Sequence, residues 1–403
     1  MKHMLIYLLF IAVMLCACAQ SPQPVETTVP TTVPTVPVTE APTAPPVTEP
    51  STIPPTEITE PPTEPPVVLT LPELILQDMT TEEKVGQLFL ARCPSYDAAE
   101  DAATYHLGGY VLFGRDFEDR SKEDVISDIA SYQAAAKIPM LIAVDEEGGI
   151  VCRVSPYFRD TRFPAPRKLY DQGGLKLILA TETEKIQLLQ SFGINVNLAP
   201  VCDVTTDPDA FMYSRSLGQS PEETGRVIAS MVNLMNRSSF GCVLKHFPGY
   251  GNNTDTHVGI AVDDRSLEEL EAADLIPFAK GIKAGADAIM ISHTFVNCLD
   301  TEHPASLSPD VIAYLRNDMG FEGVIITDDL VMEAITDLYG AEEAAVLAVL
   351  AGNDLLCSSE YRVQYPAVLE AVENGRISAE ILDAAVLRVL QWKYDLNLLD
   401  LLT

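Results

Sequence analysis

The chain has 403 residues, a formal net charge of −32 and 47% hydrophobic residues. A chain this acidic repels the phosphate backbone of nucleic acids, and no stretch of the sequence forms a basic stripe. We therefore expect no nucleic-acid partner, whereas the acidic surface itself says little about the substrate.

The first 17 residues are predicted to be an export signal that is not part of the fold. An apolar run from Met4 to Ala17 follows Lys2 and His3, and its length suits the core of a signal peptide. The run ends in Leu15-Cys-Ala-Cys18, which resembles the bacterial lipobox. The resemblance implies cleavage before Cys18 and a lipid on its thiol, which would anchor the exported protein to the outer face of the cell membrane. The alternative is an ordinary signal peptide that is cut nearby, and this too exports the protein.

Residues 18–70 are predicted to be a disordered tether. Residues 21–70 hold 15 of the 29 prolines, together with 13 threonines and no Lys or Arg. Such a segment buries too little apolar surface to offset the entropy lost on ordering. At ~3 Å per residue in polyproline II, it reaches on the order of 100–150 Å, enough to carry a domain from a membrane into a cell wall.

Residues 71–403 are predicted to form one large α/β domain. Eight short apolar runs recur in it with helical patterns between them, as is typical of strands buried on both faces of a parallel sheet. The runs are Phe89–Cys93, Gly109–Phe113, Met140–Asp145, Ile194–Ala199, Cys242–His246, Ala288–His293, Val324–Asp328 and Asp354–Cys357.

Signals for helix starts separate these runs. Thr80-Thr-Glu-Glu83 and Ser266-Leu-Glu-Glu269 are capping boxes, and Ser220-Pro221 and Ser308-Pro309 place a cap residue before a Pro. Eight strands that alternate with helices predict a single (β/α)8 TIM barrel. The alternative is an open doubly wound sheet, but no Gly-rich dinucleotide fingerprint follows the first strand.

In a barrel, the polar residues at the carboxyl ends of the strands face one mouth. Carboxylates and cations collected there can bind hydroxyl groups and supply acids for catalysis, which is the chemistry of a carbohydrate site. The residues in these positions are Asp145, Asp203, Lys245, His246, Ser292, His293, Asp328 and Asp329.

Asp328 ends a predicted strand, and this position suits a nucleophile that attacks an anomeric carbon, because the attack needs a fixed, ionised group. The alternative is that Asp328 or Asp329 caps the following helix, with Asp329 the better candidate for the cap.

Asp255 and His257 lie two residues apart in a Gly- and Asn-rich loop that follows Lys245 and His246. Alternate residues of an extended loop point the same way, so the carboxylate can orient the imidazole as a general acid and base. One alternative is an Asx-type turn with a solvent-exposed His257. Another is a metal site formed by His246, Asp255 and His257, although the tight spacing of a motif such as HExxH is missing.

The domain has six cysteines and no CxxC pair. Export allows disulfides, but several of these residues lie in or beside apolar runs, as small core residues do. We expect mostly free thiols.

Five motifs, each weak alone, occur in one order over nearly all of residues 75–395. They are Val144-Asp-Glu-Glu-Gly-Gly149, Ser214-Arg-Ser-Leu-Gly218, Lys245-His-Phe-Pro-Gly-Tyr-Gly251, Asp255-Thr-His257 and Thr327-Asp-Asp-Leu330. Together they resemble the β-N-acetylhexosaminidases of glycoside hydrolase family 3. The resemblance implies a TIM barrel and a retaining mechanism. We expect neither a metal nor a cofactor.

The resemblance also implies a role for each matching residue. Asp328 matches the nucleophile that forms a covalent glycosyl-enzyme, His257 the general acid/base, and Asp255 its partner. The residues that match the ligands of a terminal N-acetylglucosamine (GlcNAc) are Asp145, Arg153, Arg215, Lys245 and His246.

The chain departs from the commonest family pattern. Tyr250 stands where a His is usual, the loop from Gly251 to Asp255 is one residue shorter, and Ile150 stands where an Arg is frequent. The chain ends soon after the helices of the eighth strand. The sandwich domain of the family's β-glucosidases, which carries their usual carboxylate acid/base, is therefore not expected, and this favours the hexosaminidase branch.

The predicted function is that of an exported, membrane-tethered exo-β-N-acetylglucosaminidase that acts on cell-wall muropeptides or chitin-type oligosaccharides. A histidine acid repels an anionic acceptor less than the usual second carboxylate would, so phosphate could compete with water, as in a glycoside phosphorylase. Two further functions remain open, a broader-specificity β-glycosidase and a lipoprotein that binds wall glycans without cleaving them.

Overall fold

The computed structural model describes residues 69–251 and 261–402. The predicted signal peptide, Cys18, most of the tether and the Asp255–His257 pair lie outside the described residues. The predictions made for those segments are therefore neither confirmed nor contradicted by the structure.

The described residues contain ten strands, and each of the eight predicted apolar runs overlaps one of them. The strands are β1 (Phe89–Arg92), β2 (Gly109–Leu112), β3 (Leu141–Val144), β4 (Val196–Asn197), β5 (Gly241–Phe247), β6 (Val262–Asp263), β7 (Ala288–Ile291), β8 (Phe295–Val296), β9 (Val324–Thr327) and β10 (Leu356–Ser358). The short strands β6 and β8 pair only with each other.

The other eight strands form one parallel sheet in the order β10-β1-β2-β3-β4-β5-β7-β9. The two outer strands of this order also meet, because Ile326 bridges Leu355 and the Thr327 amide donates to the Leu355 carbonyl at 3.1 Å. The sheet therefore closes on itself. The predicted (β/α)8 barrel is confirmed, and the alternative of an open doubly wound sheet is wrong.

Helices separate the barrel strands. They are α1 (Leu71–Asp78), α2 (Thr81–Gln87), α3 (Ala98–Thr104), α4 (Lys122–Ala135), α5 (Ser155–Phe158), α6 (Pro166–Gln190), α7 (Pro221–Arg237), α8 (Leu267–Ala272), α9 (Leu275–Lys283), α10 (Pro309–Ala313), α11 (Glu333–Tyr339), α12 (Ala341–Ala351), α13 (Tyr361–Glu373) and α14 (Ala379–Asp395). The predicted caps are confirmed at α2, α7, α8 and α10, where a Thr or Ser side chain accepts a hydrogen bond from the first turn.

Side chains fill both faces of the sheet. In β3, Leu141 and Ala143 belong to the cluster inside the barrel, whereas Ile142 and Val144 pack against the outer helices. Burial on both faces explains why the strands read as continuous apolar runs rather than as alternating patterns. Trp392 of α14 joins the inner cluster and approaches Gly241 at the start of β5. The interior of the barrel is packed with side chains. The mouth at the carboxyl ends of the strands is therefore the place available for a site.

All six cysteines of the described residues are free thiols, as expected, and only Cys298 among them is exposed. Within residues 69–251 and 261–402, no helix combines the length and the apolar character needed to cross a membrane.

Candidate active site

A cavity of about 600 Å³ opens at the carboxyl ends of the barrel strands. It is lined by every described residue that the sequence assigned to catalysis or sugar binding: Asp145, Arg153, Arg215, Lys245, His246 and Asp328. Of the eight strand-end residues predicted to share one mouth, five line this cavity (Asp145, Lys245, His246, Asp328 and Asp329), whereas Asp203, Ser292 and His293 do not. Asp255 and His257, the other two assigned residues of the site, lie outside the described residues.

Lys245 and His246 are adjacent in sequence and both reach the cavity from β5. The register between β5 and β7 shifts between Leu244 and Phe247. Such an irregularity breaks the strict alternation of a strand and redirects side chains. The peptide bond between Lys245 and His246 is cis. Both side chains are nearly fully buried, so their partners decide their chemistry.

The Lys245 ammonium lies between two carboxylates. Its Nζ is 2.6 Å from Asp145 Oδ1 and 2.8 Å from Glu147 Oε1. Burial alone would lower the pKa of Lys245, but the two carboxylates outweigh it and raise the pKa. Lys245 therefore stays charged and fixed in position.

Glu147 is a site residue that the sequence analysis missed. Its two carboxylate oxygens accept hydrogen bonds from Arg215, from Nε at 2.9 Å and from Nη2 at 2.7 Å. Burial would raise the pKa of Glu147, but Lys245 and Arg215 hold it well below its usual range. The signal was present in Asp145-Glu-Glu147, where an acidic residue stands two positions beyond the strand-end Asp.

Asp203 was among the polar residues predicted at the strand ends, but the sequence analysis gave it no role of its own. Its Oδ2 is 2.8 Å from His246 Nδ1, and its Oδ1 accepts from the Tyr250 amide at 2.8 Å. On the other side of the ring, His246 Nε2 is 3.1 Å from Arg215 Nη2. Arginine can only donate, so Nε2 accepts and the proton of a neutral His246 is on Nδ1.

This tautomer limits what His246 can do. It leaves no proton on Nε2 for a leaving group and no free lone pair for a metal ion. The described part of the chain holds no group of His, Cys, Asp and Glu that could bind a metal. The alternative metal site of His246, Asp255 and His257 is not tested, because Asp255 and His257 lie outside the described residues. His246 lines the cavity and lies within hydrogen-bond distance of Asp203 and Arg215.

Tyr250, which departs from the family pattern, lies behind His246 and not in the cavity. Its side chain is 1% exposed, and its ring packs edge-on against the imidazole with centroids 5.2 Å apart. Phe211 packs on the same tyrosine at 5.6 Å. Tyr250 therefore belongs to the packing behind His246 and is not among the described residues that line the cavity.

The loop after β3 is folded by the buried carboxylate of Glu146. Its Oε2 accepts from the amides of Arg153 at 2.8 Å and Val154 at 2.7 Å. This turn brings Arg153 Nη2 to 3.8 Å from Asp145 Oδ2. Ile150, the other departure from the family pattern, is 64% exposed and lines the cavity.

Asp328 follows β9 and is partly exposed to the cavity. Its amide donates to the Ile291 carbonyl at 2.9 Å, and its Oδ1 accepts from the Asp329 amide at 2.8 Å. The main chain of Asp328 is thus bonded to β7, and its carboxylate accepts a hydrogen bond from the next backbone amide, which suits a group that must hold its position.

Neither aspartate caps the helix that follows, so that alternative is wrong. Helix α11 begins at Glu333, and its N-cap is Met332, which makes no side-chain hydrogen bond to the first turn. The Asp329 carboxylate accepts instead from the amides of Val331 at 3.3 Å and Ser359 at 3.1 Å. Asp329 therefore stabilises the turn that carries Asp328.

Residues 80–392 match the family model of the glycosyl hydrolase family 3 N-terminal domain. A β-hexosaminidase of Tolumonas auensis is 35% identical over 285 residues, which cover 69% of this chain and 84% of that protein. A β-hexosaminidase of Stenotrophomonas maltophilia is 37% identical over 267 residues, which cover 63% of this chain and 77% of that protein.

Solved structures resemble the barrel closely. A glycoside hydrolase family 3 β-N-acetylglucosaminidase from Paenibacillus aligns with a TM-score of 0.75 and 32% identity, covering 79% of this chain and 63% of that one. LpqI of Mycobacterium tuberculosis aligns with a TM-score of 0.73 and 28% identity, covering 80% of this chain and 96% of that one. The matched family model spans most of the sequence, and the chain therefore belongs to glycosyl hydrolase family 3 and is a glycoside hydrolase.

Proposed function

We propose that this protein is a retaining exo-β-N-acetylglucosaminidase that releases terminal β-linked GlcNAc from cell-wall muropeptides or chitin-type oligosaccharides. One observation carries the proposal: Asp328 shares a cavity with Asp145, Lys245 and His246, whose partners fix them in place. The names of the relatives, β-hexosaminidase and β-N-acetylglucosaminidase, support the choice of sugar.

In the proposed first step, an oxygen of Asp328 attacks the anomeric carbon of the terminal sugar. The glycosidic bond breaks, and the leaving oxygen takes a proton from the His257 imidazolium, which Asp255 stabilises. In the second step, water gives a proton to His257 and attacks the same carbon, and Asp328 leaves as a carboxylate. Two displacements at one carbon retain its configuration.

The charged floor of the cavity is suited to hold the sugar during both steps. Lys245 and Arg215 supply donors, Asp145 supplies acceptors, and Glu147 compensates the two cations from below. Because the charges are already paired, the site needs little reorganisation when the sugar binds. A site built in this way lowers the barrier through positions that are fixed before the reaction starts.

The proposed location is the outer face of the cell membrane, with a lipid on Cys18. The lipobox-like Leu15-Cys-Ala-Cys18 supports this proposal. Metabolic labelling with a fatty acid should mark the parent protein and not a Cys18→Ser variant. A label that persists in the variant would contradict Cys18 as the attachment site.

The test of the activity uses 4-nitrophenyl β-GlcNAc and 4-nitrophenyl β-glucoside with the parent and with Asp328→Ala. We expect release from the first substrate, much less from the second, and near-complete loss of turnover in the variant. Proton NMR should show the β-anomer of GlcNAc as the first product. An α-anomer as the first product, or substantial turnover by Asp328→Ala, would contradict the proposed mechanism.

The same assay distinguishes the competing functions. Equal rates on both sugars would indicate a broader-specificity β-glycosidase. A sugar 1-phosphate formed in phosphate buffer would indicate a phosphorylase. Binding of wall glycans without any release would indicate a non-catalytic binding protein.

A further inference from the structure

Arg92, the last residue of β1, lines the cavity that holds Asp328. Its guanidinium carbon lies 4.4 Å from the centroid of the Phe113 ring. Within residues 69–251 and 261–402 its side chain makes no hydrogen bond and no ion pair, and its Nε is buried without a partner. Buried donors without acceptors are costly, so they indicate a position where a ligand supplies the acceptor.

The cavity does not end at Arg92. A second cavity of about 360 Å³ adjoins it, and Arg92 and Ser359 line both. Asp145, Lys245 and His246, the proposed ligands of the terminal sugar, do not line the second cavity. A substrate whose terminal sugar contacts those residues would therefore extend its leaving group past Arg92 into the second cavity.

Of the four charged residues that line the second cavity, Arg115 and Arg362 are paired with carboxylates, whereas Arg92 and Glu360 have no ion pair among the described residues. Arg362 Nε donates to Asp101 at 2.9 Å, and Arg115 Nε lies 3.7 Å from Asp116. Arg92 has no carboxylate within ion-pair distance among the described residues. In a chain with a net charge of −32, such a guanidinium is a local attraction for an anion on a surface that otherwise repels it.

We propose that Arg92 binds a carboxylate on the leaving-group side of the scissile bond, so that the enzyme prefers substrates with an acidic aglycone. This inference rests on the proposed function. A guanidinium suits this task because its planar fork matches a carboxylate in two parallel hydrogen bonds. The muramic acid of wall glycans carries a lactyl carboxylate, whereas a chitin oligosaccharide carries none, so the preference would separate the two proposed substrate classes.

The experiment uses two aryl glycosides that differ in charge and hardly in size, 3-carboxyphenyl and 3-carbamoylphenyl β-GlcNAc. The measured quantity is the kcat/KM of the 3-carboxyphenyl glycoside divided by that of the 3-carbamoylphenyl glycoside. In Arg92→Met the ratio should fall about tenfold relative to the parent, mostly through the acidic substrate. In Arg92→Lys, which keeps the charge and loses the fork, the ratio should lie between those of the parent and Arg92→Met. The preference of the parent should also weaken with added salt.

Arg362→Met is the matched control, because it removes the same charge from the same cavity but from a guanidinium that Asp101 already pairs. Its ratio should stay close to that of the parent. An equal fall in both variants, an unchanged ratio in Arg92→Met, or an equal loss on both substrates would overturn the assignment of Arg92. If the parent cleaves neither glycoside, the proposed function fails first, and the inference about Arg92 fails with it.

Discussion

Glu147 and Arg215 form a two-pronged ion pair under the floor of the active-site cavity, with N–O distances of 2.9 and 2.7 Å. The pair joins the loop after β3 to the loop after β4. Lys245 of β5 binds the same carboxylate at 2.8 Å, so one buried glutamate connects three neighbouring barrel segments. The geometry of the cavity floor therefore depends on a residue that does not itself line the cavity.

Replacing Glu147 by Gln should affect both stability and activity. Two buried cations would lose their shared anion, and breaking a buried pair costs about 3–5 kcal/mol in the free energy of unfolding. The sugar ligands would also lose their fixed positions, so kcat/KM should fall by about 100-fold or more. Urea unfolding and hydrolysis of an aryl β-GlcNAc measure the two effects. A fully active and equally stable E147Q protein would contradict this role.

The same variant should change the response to acid. Because the folded-state pKa of Glu147 lies below its ordinary 4.5, its contribution to stability is complete above pH 4.5 and is lost as the pH falls below that value. The parent should therefore lose more stability than Glu147→Gln between about pH 5 and pH 3. Asp145→Asn is the control. Because Asp145 faces the cavity, this variant should lose activity more than stability.

Replacing Asp203 by Asn should misplace the proton of His246. The two carboxylate oxygens of Asp203 accept hydrogen bonds from the His246 ring and from the Tyr250 amide. In Asn one of these oxygens becomes an NH2 group, which would face an N–H donor and could not accept from it. We expect a loss of about 1–3 kcal/mol in unfolding free energy and a clear fall in kcat/KM. Imidazole ¹⁵N shifts should show the Nδ1–H tautomer of His246 in the parent and its loss in the variant. An unaltered tautomer with reduced activity would argue against this explanation.

His257→Ala tests the proposed proton donor through the leaving group. Poor leaving groups need protonation as the bond breaks, whereas activated aryl groups do not. The variant should therefore lose far more activity on a disaccharide, by about 100-fold or more, than on a dinitrophenyl glycoside. Equal losses on the two substrates would show that His257 is not the acid.

Lys393 should make stability depend on pH above neutrality. It is fully buried in α14 and donates to Gln87 Oε1 at 2.6 Å. Burial lowers its pKa from 10.5 to about 7. Between these values the unfolded chain binds a proton that the folded protein does not, so stability should rise as the pH increases from 7 to 10.5.

Lys393→Met should remove this rise. The variant should be more stable than the parent at about pH 6, and the difference should shrink or reverse near pH 10, where neutral Lys393 keeps its hydrogen bond. Urea unfolding at several pH values measures the difference. Lys176→Met, which removes an exposed lysine, is the control and should parallel the parent throughout. If the stability of Lys393→Met also paralleled that of the parent at every pH, this result would contradict a depressed pKa of Lys393.

The barrel was predictable because its physical cause is local in the sequence. Strands buried on both faces must be apolar along their whole length, and this appears directly in runs such as Met140–Asp145 and Val324–Asp328. Helix starts were also readable, because a cap such as Thr80 with Glu83 is completed within one turn. The prediction that Lys245, His246 and Asp328 lie at one mouth then followed from the parallel order of the strands.

Only the tertiary structure decided how the charges at that mouth are paired. Glu147 and Arg215 are 68 residues apart, and Asp203 and His246 are 43 apart, so their contact depends on the paths of loops that no local pattern describes. The same holds for Arg92, whose lack of an ion-pair partner in the described part of the chain emerges only when every neighbouring carboxylate has been placed. The sequence by itself determined the barrel and the order of its motifs. The pairing of buried charges was decided by the fold, because electrostatic interactions depend on distance in space and on burial, and neither is a property of sequence separation.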